Sequence, residues 1–323
     1  MAISAQSVNK SILSLDAVRQ GGKRALARAL SEIEARDGSA DIAKLLDEAA
    51  RATQAHVVGL TGPPGVGKST LTNALIRHWR QQGESVGVVA VDPSSRFSHG
   101  ALLGDRTRLD TDPTDQQVFV RSMAARDRLG GLSHEALSAI ILMRSLFDRV
   151  LVESVGIGQS EADIAFAADS IILCIQPGSG DSLQFMKAGV MELPDIVVVT
   201  KADMGSVARR AKADVEGALS LAMRKHESWA VPVMMVSALN SEGLDALVQA
   251  VDRHHAYLVS SDLLVQQRKD QALLWLTDRV RRKFGTVGLS HVHLEEMIKS
   301  AAGPFEADRH ITSDLSGRLT RKI

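Results

Sequence analysis

The chain has 323 residues, enough to bury a large core, and its 38 lysines and arginines balance 38 aspartates and glutamates, so no global field draws it to nucleic acid or a membrane surface. Aromatic residues make up 3%, too few for stacking single-stranded bases, and the lone cysteine, Cys174, excludes an internal disulfide and reads as a small core residue of an apolar run. No apolar run reaches the roughly 18 residues of a membrane span, and the opening MAISAQSVNK lacks the order of a signal peptide, so a soluble, cytoplasmic protein is expected.

In chain order, Ser7 to Arg36 places Ile12, Leu15 and Val18, then Leu26, Leu30 and Ile33, at helical spacing, with Gly21 and Gly22 between them as a kink or break. A second helix is expected over roughly Asp41 to Thr53, from Ile42, Leu45, Leu46 and Ala49. Neither carries a motif, and both are expected to cover one side of a sheet. The next stretch, HVVGLTGPPGVGKSTL from His56 to Leu71, runs from an apolar strand through a glycine-rich turn into a helix. Gly62 to Ser69 fits G-x-x-x-x-G-K-[ST] in the strand–turn–helix context that this motif requires. The loop from Gly62 through Pro64, Gly65, Val66 and Gly67 to Thr70 would cradle phosphate oxygens with the N–H groups of its non-proline residues at a helix N-terminus. Lys68 would reach the β- and γ-phosphates, and the Ser69 hydroxyl would hold Mg²⁺.

After a helix over Ser69 to Gln82, Val86 to Val91 reads as a buried parallel strand ending at Asp92, Pro93, Ser94 and Ser95. Open α/β sheets bind ligands at the C-terminal ends of their strands, which makes Asp92 a candidate for the metal's outer shell or for positioning water. The aperiodic stretch Arg96 to Asp115 reads as a functional loop, with Asp105 able to face the metal and Arg106 or Arg108 a phosphate. Gln117 to Val120 is a short strand, Gly130 and Gly131 a turn, and Ser133 to Phe147 a helix. The apolar strand Arg149 to Val152 then ends in Glu153, with Gly156 three residues on. That is the second phosphate-site element of nucleotide hydrolases, in which the acid orients Mg²⁺ and the glycine N–H senses the γ-phosphate. The next position is Ile157, which cannot orient water, so slow unassisted hydrolysis is expected; Gln159 is near but out of register.

The strand Ser170 to Ile175 precedes Pro177 to Asp181, and the strand Ile196 to Val199 ends in Thr200, Lys201, Ala202 and Asp203. A strand ending in [NT]-K-x-D can read guanine: the Asp203 carboxylate accepts from N1–H and the 2-amino group, whereas adenine would leave it unpaired. Lys201 would lie along the base plane. Val233 to Val236 lead into Ser237, Ala238 and Leu239, placed for a backbone contact to the guanine carbonyl. GTP is therefore expected over ATP. Gly243 to Tyr257 closes this domain. Leu258 to Ser300 is an amphipathic helical segment that either packs back or forms a subunit contact. Surface positions are expected for His254, His255, His291 and His293, and a polar, loose tail after Gly303. The divisions are residues 1–54 as a helical extension, 55–257 as an α/β P-loop GTPase domain with a mostly parallel sheet, and 258–323 as a C-terminal helical arm and tail.

Together and in order, Gly62 to Thr70, AVDPSS at Ala90 to Ser95, LLGDRTRL at Leu102 to Leu109, VESVGIGQSE at Val152 to Glu161, PGSGDSLQ at Pro177 to Gln184 and TKAD at Thr200 to Asp203 resemble the MeaB family of GTPases. These serve adenosylcobalamin-dependent acyl-CoA mutases as G-protein chaperones and were formerly taken for arginine/ornithine transport kinases. The resemblance covers roughly residues 10 to 280. It implies catalytic roles for Lys68, Asp92, Asp105 and Glu153, a homodimer built through the C-terminal arm, and a GTP-gated delivery of cofactor to the mutase. It also implies a third switch that contacts the partner through Asp181, Gln184 and Lys187. Thr200 stands where the family usually has Asn, which implies loss of an amide that braces the phosphate loop, and His99 stands where Gly is common. Two other functions are open on the residues alone. A nickel-insertion GTPase would need Cys and His ligands near the switches, and a kinase of a transport system would need an acceptor pocket and a base.

Overall fold

A computed structural model describes residues 13–92, 109–124, 132–154, 163–178, 190–221 and 228–320. Seven strands, β1 (His56–Thr61), β2 (Val86–Asp92), β3 (Val118–Ala124), β4 (Arg149–Glu153), β5 (Ser170–Ile175), β6 (Ile196–Thr200) and β7 (Val233–Val236), form one sheet in the order β3-β2-β4-β1-β5-β6-β7. Every pairing is parallel. The chain starts in the middle at β1, moves out to β2 and β3, returns to β4, then crosses to β5. The loop after β1 therefore lies where the winding changes direction, the crevice that open parallel sheets use for ligands.

Parallel strands buried on both faces explain the unbroken apolar runs. Alternate residues of β1 go to opposite cores: Val57 packs with Val89, Val150 and Val152, and Val58 and Leu60 with Val88, Leu151 and Ile172. The second core is closed by α3 (Lys68–Gln81) and α6 (Leu244–Ser260), and α5 (Ser206–Leu219) packs beside β6 and β7. The first is closed by α4 (His134–Arg144) together with α1 (Leu15–Ala35) and α2 (Ala40–Arg51), so the motif-free N-terminal helices do cover one side. Ser14 caps α1 by accepting from the Ala17 N–H at 3.2 Å, and the expected break is a kink at Gly22, whose φ of 58° suits glycine.

Three further helices complete this layer: α7 (Leu263–Ser290), α8 (Leu294–Ser300) and α9 (Pro304–Thr320). The inner side of α7 packs back on the α/β body. Arg268 donates to Asp169 at 2.7 and 2.9 Å, and Gln271 donates to the Ala168 carbonyl at 2.8 Å. The tail after Gly303 corrects the expectation of a loose end, because α9 is a packed helix. Ala307, Ile311 and Leu315, each four residues apart, are buried against α2 and α7, and the Asp47 carboxylate caps the Phe305 and Glu306 N–H groups at 3.1 and 2.9 Å. That stripe is too diluted by polar residues to show in composition. His254 is also corrected: it is fully buried at the N-terminal end of the sheet, and His255 stacks on His56 with ring centroids 4.3 Å apart, whereas His291 and His293 are exposed. Among the described residues no helix is long and apolar enough to cross a membrane, and no group of three or more His, Cys, Asp or Glu is placed to hold a metal ion.

Candidate nucleotide site

The site is built from the C-terminal ends of β1, β4, β6 and β7. After β1 the backbone turns at Gly62, with φ 137°, where an added Cβ would lie 2.3 Å from the Cys174 carbonyl oxygen; only glycine fits. Gly67, with φ 103°, is the N-cap of α3 and supplies no side-chain cap. The first N–H groups of α3 therefore depend on a partner outside the helix, and the positive end of the helix favours an anion. Lys68 is 7% exposed and folds over the loop, with Nζ donating to the carbonyls of Gly62 at 2.8 Å and Pro63 at 3.1 Å. This sets its ammonium above the concave side of the turn. Cys174 behind the loop is inert packing, since burial pushes its thiol up to about 12.

Glu153 ends β4 in register with Leu60 of β1 and reaches the start of α3. Its Oε1 accepts from the Ser69 hydroxyl at 2.7 Å and its Oε2 from the Thr72 hydroxyl at 3.0 Å. A hydroxyl and a carboxylate thus converge as hard oxygen donors beside the phosphate loop, the donor chemistry that Mg²⁺ prefers. Thr72 was missed by sequence reasoning. Its signal is position: one turn after Lys68, on the α3 face that meets β4. Asp92 ends β2 two residues beyond Ala90, the register partner of Glu153, so its backbone reaches the same edge.

At the end of β6, Thr200 is buried and its hydroxyl donates to the Val66 carbonyl of the phosphate loop at 2.7 Å, with the Ile175 carbonyl at 3.2 Å. This corrects the expected loss of a brace: the hydroxyl ties β6 to the loop without an amide. Lys201 adopts the left-handed region, φ 54°, and Nζ donates to Gln176 Oε1 at 2.8 Å. Asp203 Oδ1 accepts from the Ser237 hydroxyl at 2.7 Å. Ser237 is fixed by reciprocal backbone bonds with Glu242, at 3.0 and 3.1 Å, which present Ala238 and Leu239 at the loop tip; Leu239 is 82% exposed. The structure thus gathers Gly62, Pro64, Gly65, Val66, Gly67, Lys68, Ser69, Thr70 and Glu153 at one end of a cleft edge and Thr200, Lys201, Asp203, Ser237, Ala238 and Leu239 at the other. Asp105, Gly156, Ile157, Gln159, Asp181, Gln184, Lys187 and His99 lie outside the described residues, as does the side chain of Asp92.

Comparison with known proteins places the chain among GTPases. Over 264 residues the chain is 39% identical to a putative GTPase of Pyrococcus horikoshii, covering 79% of this chain and 81% of that one. Over 244 residues it is 35% identical to the mouse protein named methylmalonic aciduria type A homolog, mitochondrial, covering 75% of this chain and 59% of that one. Among solved structures, the crystal structure of an LAO/AO transport system kinase aligns with a TM-score of 0.69 and 25% identity over 96% of this chain and 99% of that chain. The model of the family described as methylmalonyl-CoA mutase-associated GTPase MeaB matches residues 26–288, spanning the phosphate loop, the Glu153 strand and the Asp203 loop alike, and the chain belongs to that family of GTPases.

Proposed function

We propose that the protein binds GTP with Mg²⁺ and, as a homodimer in the cytoplasm, uses its hydrolysis to gate adenosylcobalamin delivery to, and protection of, a partner acyl-CoA mutase. The observation that carries the nucleotide half is the pairing of two recognitions on strand ends at the same edge of the sheet, those of β1 and β4 and, across β5, those of β6 and β7. Lys68, Ser69 and Glu153 form the phosphate end, and Asp203 with Ser237 forms the base end. In this reading Lys68 leaves its two loop carbonyls for β- and γ-phosphate oxygens, a charge-assisted exchange. Asp203, already oriented by Ser237, offers acceptors for guanine N1–H and the 2-amino group. Ser69 and Glu153 would hold Mg²⁺ with Asp92 and Asp105, the glutamate through water. Bound there, such an ion would supply positive charge to offset that of the phosphates.

The partner half rests on the family: its model is named for a mutase, and one mouse relative for methylmalonic aciduria. Ile157 at the position after Gly156 gives the chain no side chain there to orient water, which suits a GTPase whose turnover rises when a partner completes the site. Asp181, Gln184 and Lys187 would then meet the mutase. The test is calorimetry with guanine and adenine nucleotides, followed by phosphate release with and without a cobalamin-dependent acyl-CoA mutase. Tight binding of GTP alone, with turnover raised at least tenfold by the mutase, is expected. Equal affinity for ATP would overturn the nucleotide reading, and unchanged turnover with each acyl-CoA mutase tried would overturn the partner.

A further inference from the structure

On the helical side of the sheet, away from the phosphate loop, α2, α4, α7 and the start of α9 enclose a cavity of about 440 Å³, within the range of small-molecule sites. Leu137, Ile141, Phe166, Trp275, Ile298 and Phe305 give it an apolar wall. Arg144, the last residue of α4, also lines it and is 7% exposed. Its Nε is buried without a hydrogen-bond partner, and among the described residues its guanidinium makes no hydrogen bond or ion pair. The nearby carboxylate of Asp169 is engaged by Arg268 and by the Val57 N–H at 2.8 Å. Asp47, the one acidic residue in the lining among the described residues, is committed to the N-terminus of α9. Arg51 and Lys269 add positive charge at the exposed rim.

A guanidinium held nine-tenths out of water with no carboxylate bonded to it is costly, and the cost shows as a lowering of Arg144 to about 10, by burial and by the neighbouring Arg268, which the more distant Asp169 only partly offsets. A ligand that returns an anion to it recovers that cost, and a planar carboxylate does so bidentately. The apolar wall selects the rest of such a ligand. We propose that this cavity is a binding site for a small amphipathic carboxylate, with the carboxylate on Arg144 and an aliphatic or aromatic body against Leu137, Phe166 and Trp275. The site is separate from the nucleotide cleft and does not depend on how that cleft is read. Phe166 and Ala167 of its wall follow the segment that carries Gly156 and Gln159 in the chain, so an occupant would rest on the turn leading away from it.

The test is calorimetry on the full-length protein with sodium octanoate, compared with octan-1-ol, which has the same body without charge, and with inorganic phosphate, which has charge without the body. Octanoate should bind with a Kd below about 1 mM, and both controls at least about tenfold more weakly, because a hydrogen bond to a charged group contributes about 1.5–3 kcal/mol, roughly 10–100-fold. Arg144→Met should lose octanoate binding by the same factor and be no less heat-stable than the parent without ligand, since it removes an unpaired charge. Ala272→Phe, which leaves Arg144 in place and fills the cavity from α7, should lose octanoate binding too and carries the test if Arg144→Met fails to fold. GTP binding should be unchanged in both variants. No heat with 5 mM octanoate, equal affinity for octanol, or undiminished octanoate binding in Ala272→Phe would overturn the site.

Discussion

The two ends of the sheet carry similar side chains in opposite states. At the C-terminal end, Lys68, Glu153 and Asp203 sit beside loops, and their hydrogen bonds go to loop carbonyls or hydroxyls that a ligand can replace. At the N-terminal end, Ser170 lies between His56 Nε2, at 2.8 Å, and His254 Nδ1, at 2.6 Å, with Asp195 Oδ1 3.5 Å from His254 Nε2. Serine, histidine and aspartate in sequence look like a nucleophile with its base. Yet Ser170 and His254 are fully buried, and Asp195 is 1% exposed and caps the Ile171 N–H at 2.9 Å. The difference between a site and a staple is thus which partners can be exchanged with solvent or ligand, not which residue types meet. The N-terminal cluster stitches the starts of the strands to α6 and α7, and changes there should cost stability, while changes at the other end should cost nucleotide chemistry.

The largest separation is expected from Asp169→Ala. Asp169 is fully buried, accepts from Arg268 and the Val57 N–H, and its loss leaves the largely buried Arg268 cation without its carboxylate, held only by the Thr53 hydroxyl and the Ala55 carbonyl. Such truncations cost about 3–5 kcal/mol. Urea unfolding should show that loss, and the GTP affinity of the remaining folded protein should stay within about twofold of the parent. A nucleotide defect as large as the stability loss would break the distinction.

Acid should act on the same end. Burial holds His56 well below its usual 6.5, aided by the nearby His255 and Arg149, so it is neutral in the folded protein. The unfolded chain takes up a proton near pH 6.5 and the native state does not, so this contribution is present above that pH and is lost as pH falls from 6.5 toward the folded value. Melting temperatures at pH 7.5 and 5.5 should differ by less in His56→Gln than in the parent.

At the nucleotide end, Lys68→Ala should lower GTP turnover by about 10²–10³, the usual effect of losing a preorganised charge stabiliser, with an unchanged circular-dichroism spectrum. Asp203→Asn should weaken GTP binding by about 10–100-fold, since an amide cannot accept twice from the guanine edge. The same amide can donate to a carbonyl at C2, so xanthosine triphosphate should gain on GTP. Titration of both nucleotides against both proteins gives the comparison, and parallel losses would show that Asp203 does not read the base.

Much of this was legible in the chain because the motifs are local. Gly62 to Ser69 must turn and cap a helix whatever surrounds them, and apolar runs on a parallel sheet need no long-range information to be read as strands. Glu153 was legible as the acid closing an apolar strand. What escaped depends on contacts distant in sequence. Thr72 matters because β4 ends opposite it, 81 positions along. His254 is buried because α6 brings it over Ser170, 84 positions away. The α9 stripe is hidden because polar Asp308 and Thr312 lie within it. Asp308 accepts from Arg279 at 2.6 Å and from Lys283 at 3.2 Å, and that burial of charge could not be read before the helices were seen to pair.

Thr200 tests the finest form of the contrast, because it belongs to both classes. It is buried like the staples, but its hydroxyl holds the Val66 carbonyl of the loop that faces the ligand. Thr200→Val keeps the volume and removes only the donor, leaving two carbonyls, those of Val66 and Ile175, without it. A neutral hydrogen bond of this kind contributes about 1 kcal/mol, so GTP affinity should fall about fivefold, with a similar small loss in thermal stability. Thr200→Asn, with an amide that can donate to the same carbonyls, should restore affinity. If Thr200→Val destabilises the protein with no change in GTP affinity, the hydroxyl is a staple like those at the other end. A change in affinity alone would show that it tunes only the loop.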